Sequence, residues 1–280
     1  MFDKTSSSTS TSFRRGNKSI YGETVDKVST AAKIKSRKIN YSKGRFVALS
    51  MFGGVFVGFG VMLASAIGGY LDRVNPSLGI IGAGLVFGVG LSFVFMAGGE
   101  LSTSNSLIVT IGFLDKRITL KDSLRIFVYS FIGNFAGSLI FAILLATSGI
   151  IKGPVAEQVL KVSSVKMTTP FLQLIMRGII CNIIICSTAW SINRISDNIS
   201  RIVMGFWCSF AFVASGLENS VANMTLLPTA LMVIRDVDIS IQGLVRNILY
   251  STIGNFIGGS IFVGLPYWYI ASRKNIYNKN

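Results

Sequence analysis

An all-α membrane protein is the fold class this sequence predicts: six transmembrane helices in two inverted halves, the second and fifth helices broken. Three observations predict it. First, half the residues are hydrophobic and only 14% are charged, where soluble domains carry about 25%. Second, one polar string occurs twice inside apolar runs. Ala97 to Asn105 and Ala214 to Met224 both contain Gly-x-Glu-x-x-x-x-Asn, as Gly98, Glu100, Asn105 and as Gly216, Glu218, Asn223. Third, a longer repeat follows each copy at nearly the same distance, Tyr129 to Leu144 and Tyr250 to Leu265, both containing Ile-Gly-Asn-Phe. Interrupted helices at matching places in two halves point to a transport site.

Residues 1–44 form a basic tail, Ser/Thr-rich at its start and read as disordered there. Within it, Tyr21 to Asn40 fits an interfacial helix, with Val25, Val28, Ala32 and Ile34 opposite Lys27, Lys33, Lys35, Arg37 and Lys38. Residues 45–272 form the channel domain. Its spans are Phe46–Tyr70, Leu78–Phe113, Ile126–Ile151, Pro170–Ile192, Ile202–Ile234 and Asn247–Ser272. The second is expected to break near Gly98 to Asn105, the fifth near Gly216 to Ser220. Neither apolar run flanking Gly216 is long enough alone, since crossing takes about 20 residues. The polar string therefore falls near mid-membrane, where irregular backbone must be buried in protein or line a cavity. Tyr267, Trp268 and Tyr269 read as an interfacial aromatic anchor. Residues 273–280 form a second short tail.

Lys and Arg set the orientation. Eleven of 27 precede Phe46, and others crowd the loops holding Lys116, Arg117, Lys121, Arg194 and Arg201 and the end holding Arg273, Lys274 and Lys279. Both termini are expected to be cytoplasmic. Three spans per half then make the halves inverted. The net charge of +15 reads as contact with anionic lipid, not nucleic acid. Histidine is absent, which excludes His-based catalysis and His metal ligands, and no cofactor is expected. Cys181, Cys186 and Cys208 match no zinc or redox spacing and read as small buried residues.

Three strings resemble the formate/nitrite transporter family of pentameric anion channels. Ala97 to Asn105 is similar to its broken second helix, including Thr103. Arg177 to Trp190, with Cys181 and Asn182, resembles its fourth-helix signature. Gly216 to Met224 resembles its fifth-helix signature, normally Gly-Phe-Glu-His-Ser-Val-Ala-Asn-Met. The resemblance covers residues 25 to 272. It implies an aquaporin-like protomer with its own pore, assembled as a homopentamer. It also implies a cytoplasmic-side constriction of Phe212 and Ser102, a periplasmic-side one of Phe87 and Leu91, and Thr103 facing a chamber between them. Asn182 and Asn255 would be pore-side polar groups. Lys166 would stand in the outer vestibule, with Lys33, Lys35 or Lys38 as its inner counterpart. The chain departs from the pattern twice: Asn219 replaces the central histidine, and Ser102 stands where many members have Phe.

Glu100 and Glu218 are expected to hold the loops by accepting backbone N–H groups freed at the breaks; a proton relay is the other use. Asn219 is read as a selectivity group, because its amide donors suit an anion. Arg177 is unusual within a span and has Glu218, a neighbouring protomer or lipid headgroups as candidate partners. The expected function is a channel, not an enzyme, for small anions of weak acids: formate first, nitrite or hydrosulfide next. The alternative is a passive pore for neutral solutes such as ammonia, hydrogen sulfide or undissociated acid, because Asn219 cannot titrate. A lipid-bound scaffold would explain the basic tail but not the broken helices.

Overall fold

Helices account for nearly all of the computed structural model, which describes residues 20–233 and 238–272. The expectations for residues 1–19, Ile234 and residues 273–280 lie outside the described residues. In chain order the helices are α1 (Ile20–Tyr41), α2 (Lys43–Asp72), α3 (Pro76–Phe93), α4 (Ser102–Leu114), α5 (Leu120–Thr147), α6 (Pro154–Thr168), α7 (Phe171–Ile192), α8 (Asn198–Ala214), α9 (Ser220–Val233), α10 (Ile241–Ile257) and α11 (Leu265–Ser272). A π-helical turn, Val94–Gly98, continues α3, and another, Gly258–Gly264, joins α10 to α11. Five of these stretches are long and apolar enough to cross a membrane: 43–72, 76–98, 120–147, 171–192 and 241–271. The short apolar helices are α4, α8 and α9.

Large apolar side chains point outward along these helices. Phe52, Leu144, Ile180, Trp207 and Phe262 are all exposed, which suits a lipid-facing or protomer-facing surface and not water. Polar caps mark the helix ends. Thr119 and Asp122 close a reciprocal capping box on α5. Asp197 caps α8, and the Ser200 backbone N–H holds its carboxyl below the usual carboxylate range.

Both breaks fall where the repeat puts them, and both are narrower than the polar strings. The first leaves only residues 99–101 outside a helix, so Ser102 to Asn105 form the first turn of α4. The second lies between Ala214 and Ser220. Gly98 and Gly216, the first residues of the paired strings, have φ of +85° and +63°. That left-handed geometry favours glycine, which explains why the repeat begins with it.

Each half then packs one continuous helix against another, α2 on α5 and α7 on α10. A Cβ at Gly137 would overlap the Met51 carbonyl, and one at Gly258 the Ile179 carbonyl. The helices approach at the backbone, as small residues allow in a membrane.

Three expectations change here. α1 buries Val25, Val28, Ala32 and Ile39, while Ile34 is 48% exposed. Position 39 keeps the helical spacing from Val25 and Ala32, and position 34 does not. Tyr267 is not purely an interfacial anchor: it stacks on buried Trp190 at 4.1 Å between centroids. Residues 154–168, expected as a loop, form α6. Pro154 opens it, and Val155, Val159, Ser163 and Met167 recur every fourth residue on its buried face.

Candidate functional site

The site begins with two asparagines that hold the broken helices. Asn134 on α5 accepts the Ser102 backbone N–H at 2.8 Å and donates to the Glu100 and Ser50 carbonyls, each at 2.7 Å. Asn255 on α10 repeats the device: it accepts the Ser220 N–H at 2.9 Å and donates to the Glu218 carbonyl at 2.8 Å and the Gly178 carbonyl at 2.9 Å. Each amide satisfies a leading N–H of a half-helix and the carbonyl before it, groups that a break leaves orphaned. Asn255 therefore acts as a backbone clamp, with both Nδ2 hydrogens committed to carbonyls. Asn134 was not singled out from the sequence, although it occupies the same place in Ile-Gly-Asn-Phe.

The N-termini of α4 and α9 are tied to one centre. Asn182 donates to the carbonyls of Thr103 and Asn255, at 3.1 Å to the first, and to Ser106 Oγ at 2.9 Å. A continuous chain thus runs from Thr103 through Asn182 and Asn255 to Ser220. Positive helix ends converge from both halves, a ready place for negative charge. Thr103 Oγ1 and Asn182 Oδ1 are buried and make no hydrogen bond, so each has capacity for a passing guest or water.

The two glutamates take lysines, not backbone N–H groups. Glu100 pairs with Lys35 of α1. Glu218 Oε2 accepts Lys166 Nζ at 2.9 Å, Asn223 Nδ2 at 2.6 Å and Asn247 Nδ2 at 3.2 Å. The Glu218 side chain is 1% exposed, and its Oε1 has no partner. A carboxylate this deep needs a cation and donors, since an isolated buried charge is prohibitive. Glu218 is thus a partner of Lys166 and not of Arg177.

Asn219 Oδ1 accepts the Val221 and Ala222 N–H groups at 3.0 and 3.3 Å, capping α9. The cap fixes the amide, leaving Nδ2 as its uncommitted polar atom. Asn219 lines a cavity of about 260 Å³, together with Lys166, Phe87 and Phe212. Ile80, Ala83 and Phe87 line it on successive turns of α3 away from the turn at Arg73, so Phe87 lies deepest of the three. Phe87 and Phe212 meet edge to face, 5.3 Å between centroids at 79°. The two rings thus meet each other, whereas the resemblance put them in opposite constrictions. Leu91, 2% exposed, lies one turn further along α3. Ser102, Thr103, Leu91, Asn182 and Asn255 do not line this cavity. Among the described residues no cluster of His, Cys, Asp or Glu could hold a metal ion.

Comparison with known proteins decides the family. The sequence profile described as "Formate/nitrite transporter" matches residues 22–269. This chain belongs to the formate/nitrite transporter family. "Nitrite transporter NirC" of Escherichia coli (strain K12) is 31% identical over 258 residues, covering 91% of this chain and 94% of that protein. A solved structure titled "FNT family ion channel" superposes with a TM-score of 0.84 at 30% identity, covering 89% of this chain and 98% of that one. A second, "Pentameric formate channel with formate bound", gives 0.73 at 25% identity, covering 83% and 99%. The family consists of membrane transporters and channels, not enzymes.

Proposed function

We propose that this chain is a channel for small monovalent anions of weak acids, formate first and nitrite or hydrosulfide next, with one pore per protomer of a homopentamer. Relatives named for nitrite and for formate support the substrate class. The single observation that carries it is the cavity where Lys166, fixed by Glu218, and the free Asn219 amide stand before the Phe87–Phe212 barrier. Lysine raises local anion concentration, the amide donates to the anion, and the rings reject larger or hydrated ions.

In this reading α3 with α4, and α8 with α9, are two broken spans beside four continuous ones. Both termini are cytoplasmic, so Lys35 guards the inner mouth and Lys166 the outer one. Ser102, Thr103, Leu91 and Asn182 belong to the path beyond the barrier. Neutral-solute passage is the second reading, favoured by the absence of a titratable group at Asn219.

Current separates the two. Planar-bilayer recordings in formate are expected to show current that changes little between about pH 5 and 7, the range in which histidine titrates. Asn219→His is expected to add a step, formate flux rising as pH falls through about 6.5, where imidazolium replaces a neutral ring. Uptake of ammonia or undissociated acid without any formate current would favour the neutral pore.

A further inference from the structure

The cavity is larger than its proposed passenger. Its volume of about 260 Å³ holds several waters, whereas formate has only three heavy atoms. Its walls are also wrong for holding a tailless ion. Val61 and Ala64 of α2, Ile80 and Ala83 of α3, Val162 of α6 and Leu226 of α9 give it broad apolar sides. The polar lining is Ser65, Gln158, Asn223, Asn219 and Lys166; Lys166 Nζ, which donates one bond to Glu218 and keeps two donors, is its one cation. Apolar walls with a few convergent donors, at a volume near the lower end for small-molecule sites, describe a binding site in its own right.

We propose that this cavity binds linear aliphatic monocarboxylates of about four to six carbons, which stop above the Phe87–Phe212 barrier and block it. It rests on reading the cavity as one end of an anion path. The carboxylate takes the free donors of Lys166 and Asn219. The hydrocarbon tail lies along Val61, Ala64, Ile80 and Val162. Each buried methylene tightens binding by up to about fourfold, so affinity climbs with chain length until the walls are filled. The closed ring pair stops the longer acids from following formate.

The test is direct binding to the purified assembly in lipid nanodiscs, by calorimetry with acetate, butyrate, hexanoate and hexanol, alongside formate flux in liposomes. Affinity is expected to rise two- to fourfold per methylene from acetate to hexanoate. Hexanol is expected to bind at least tenfold more weakly than hexanoate, and hexanoate to inhibit formate flux from the α6 side. Ala64→Phe, which fills part of the apolar wall, is expected to abolish the chain-length dependence from acetate to hexanoate. Affinity independent of chain length, hexanol binding as tight as hexanoate, or no binding of any acid overturns the proposal. The two readings fail separately: hexanoate binding without formate current removes the anion channel and keeps the site, while formate current with no chain-length dependence does the reverse.

Discussion

Lys166→Met is expected to destabilise the fold by about 3–5 kcal/mol, because it leaves the Glu218 carboxylate buried without a cation. Glu218 is 1% exposed, and its remaining donors, Asn223 and Asn247, are neutral amides. The double variant Lys166→Met/Glu218→Gln should recover most of that loss. Glutamine keeps an oxygen for the two asparagines, and no charge is then left in the interior. The same double variant should still lose anion uptake, since the lysine that collects anions is gone. Denaturant unfolding of the single and double variants checks the stability claim. A loss below about 1 kcal/mol for Lys166→Met would mean that the pair contributes no more than an exposed one.

Phe212→Ala is expected to raise formate flux by roughly two- to tenfold and to admit lactate. Opening the path separates Phe212 from Phe87, and an edge-to-face ring pair contributes about 0.5–1.5 kcal/mol beyond its buried area. Removing that amount from a barrier gives this range, because 1.36 kcal/mol is tenfold in rate. Truncation also widens the gap and weakens dewetting. Phe87→Ala should do the same, because both rings form one barrier. Stopped-flow uptake in liposomes decides it. Wild-type rates and selectivity in both variants, with the assembly intact, would place the rate-limiting step away from these rings.

Much of this arrangement was legible in the residues. Glycine at 98 and 216, each opening Gly-x-Glu-x-x-x-x-Asn, located both breaks, because a left-handed residue inside an apolar run has few uses other than ending a helix. The Ile-Gly-Asn-Phe repeat located the clamps but did not reveal their use. Asn255 was expected beside the pore and Asn134 was not singled out, since a sequence does not tell whether an amide faces a cavity or two carbonyls. Without the resemblance Lys166 does not stand out in the sequence, because α6 is too short and mixed to be told from a connection. That Lys35, and not Lys33 or Lys38, meets Glu100 depends on the rotation of α1, which Ile39 fixes and Ile34 does not. The union of Phe87 and Phe212 depends on α3 packing against α8, a contact between residues far apart in the chain.

The asparagine clamps bear on how the chain is made. Every partner of Asn134, namely Ser50, Glu100 and Ser102, lies in the first half. Every partner of Asn255 through its side chain, namely Gly178, Glu218 and Ser220, lies in the second. During N-to-C synthesis the first broken span can satisfy the Ser102 N–H and the Glu100 carbonyl as soon as α5 has entered the bilayer. It need not wait for α7 to α10, and so its unpaired backbone is not left facing lipid while the rest of the polypeptide is translated.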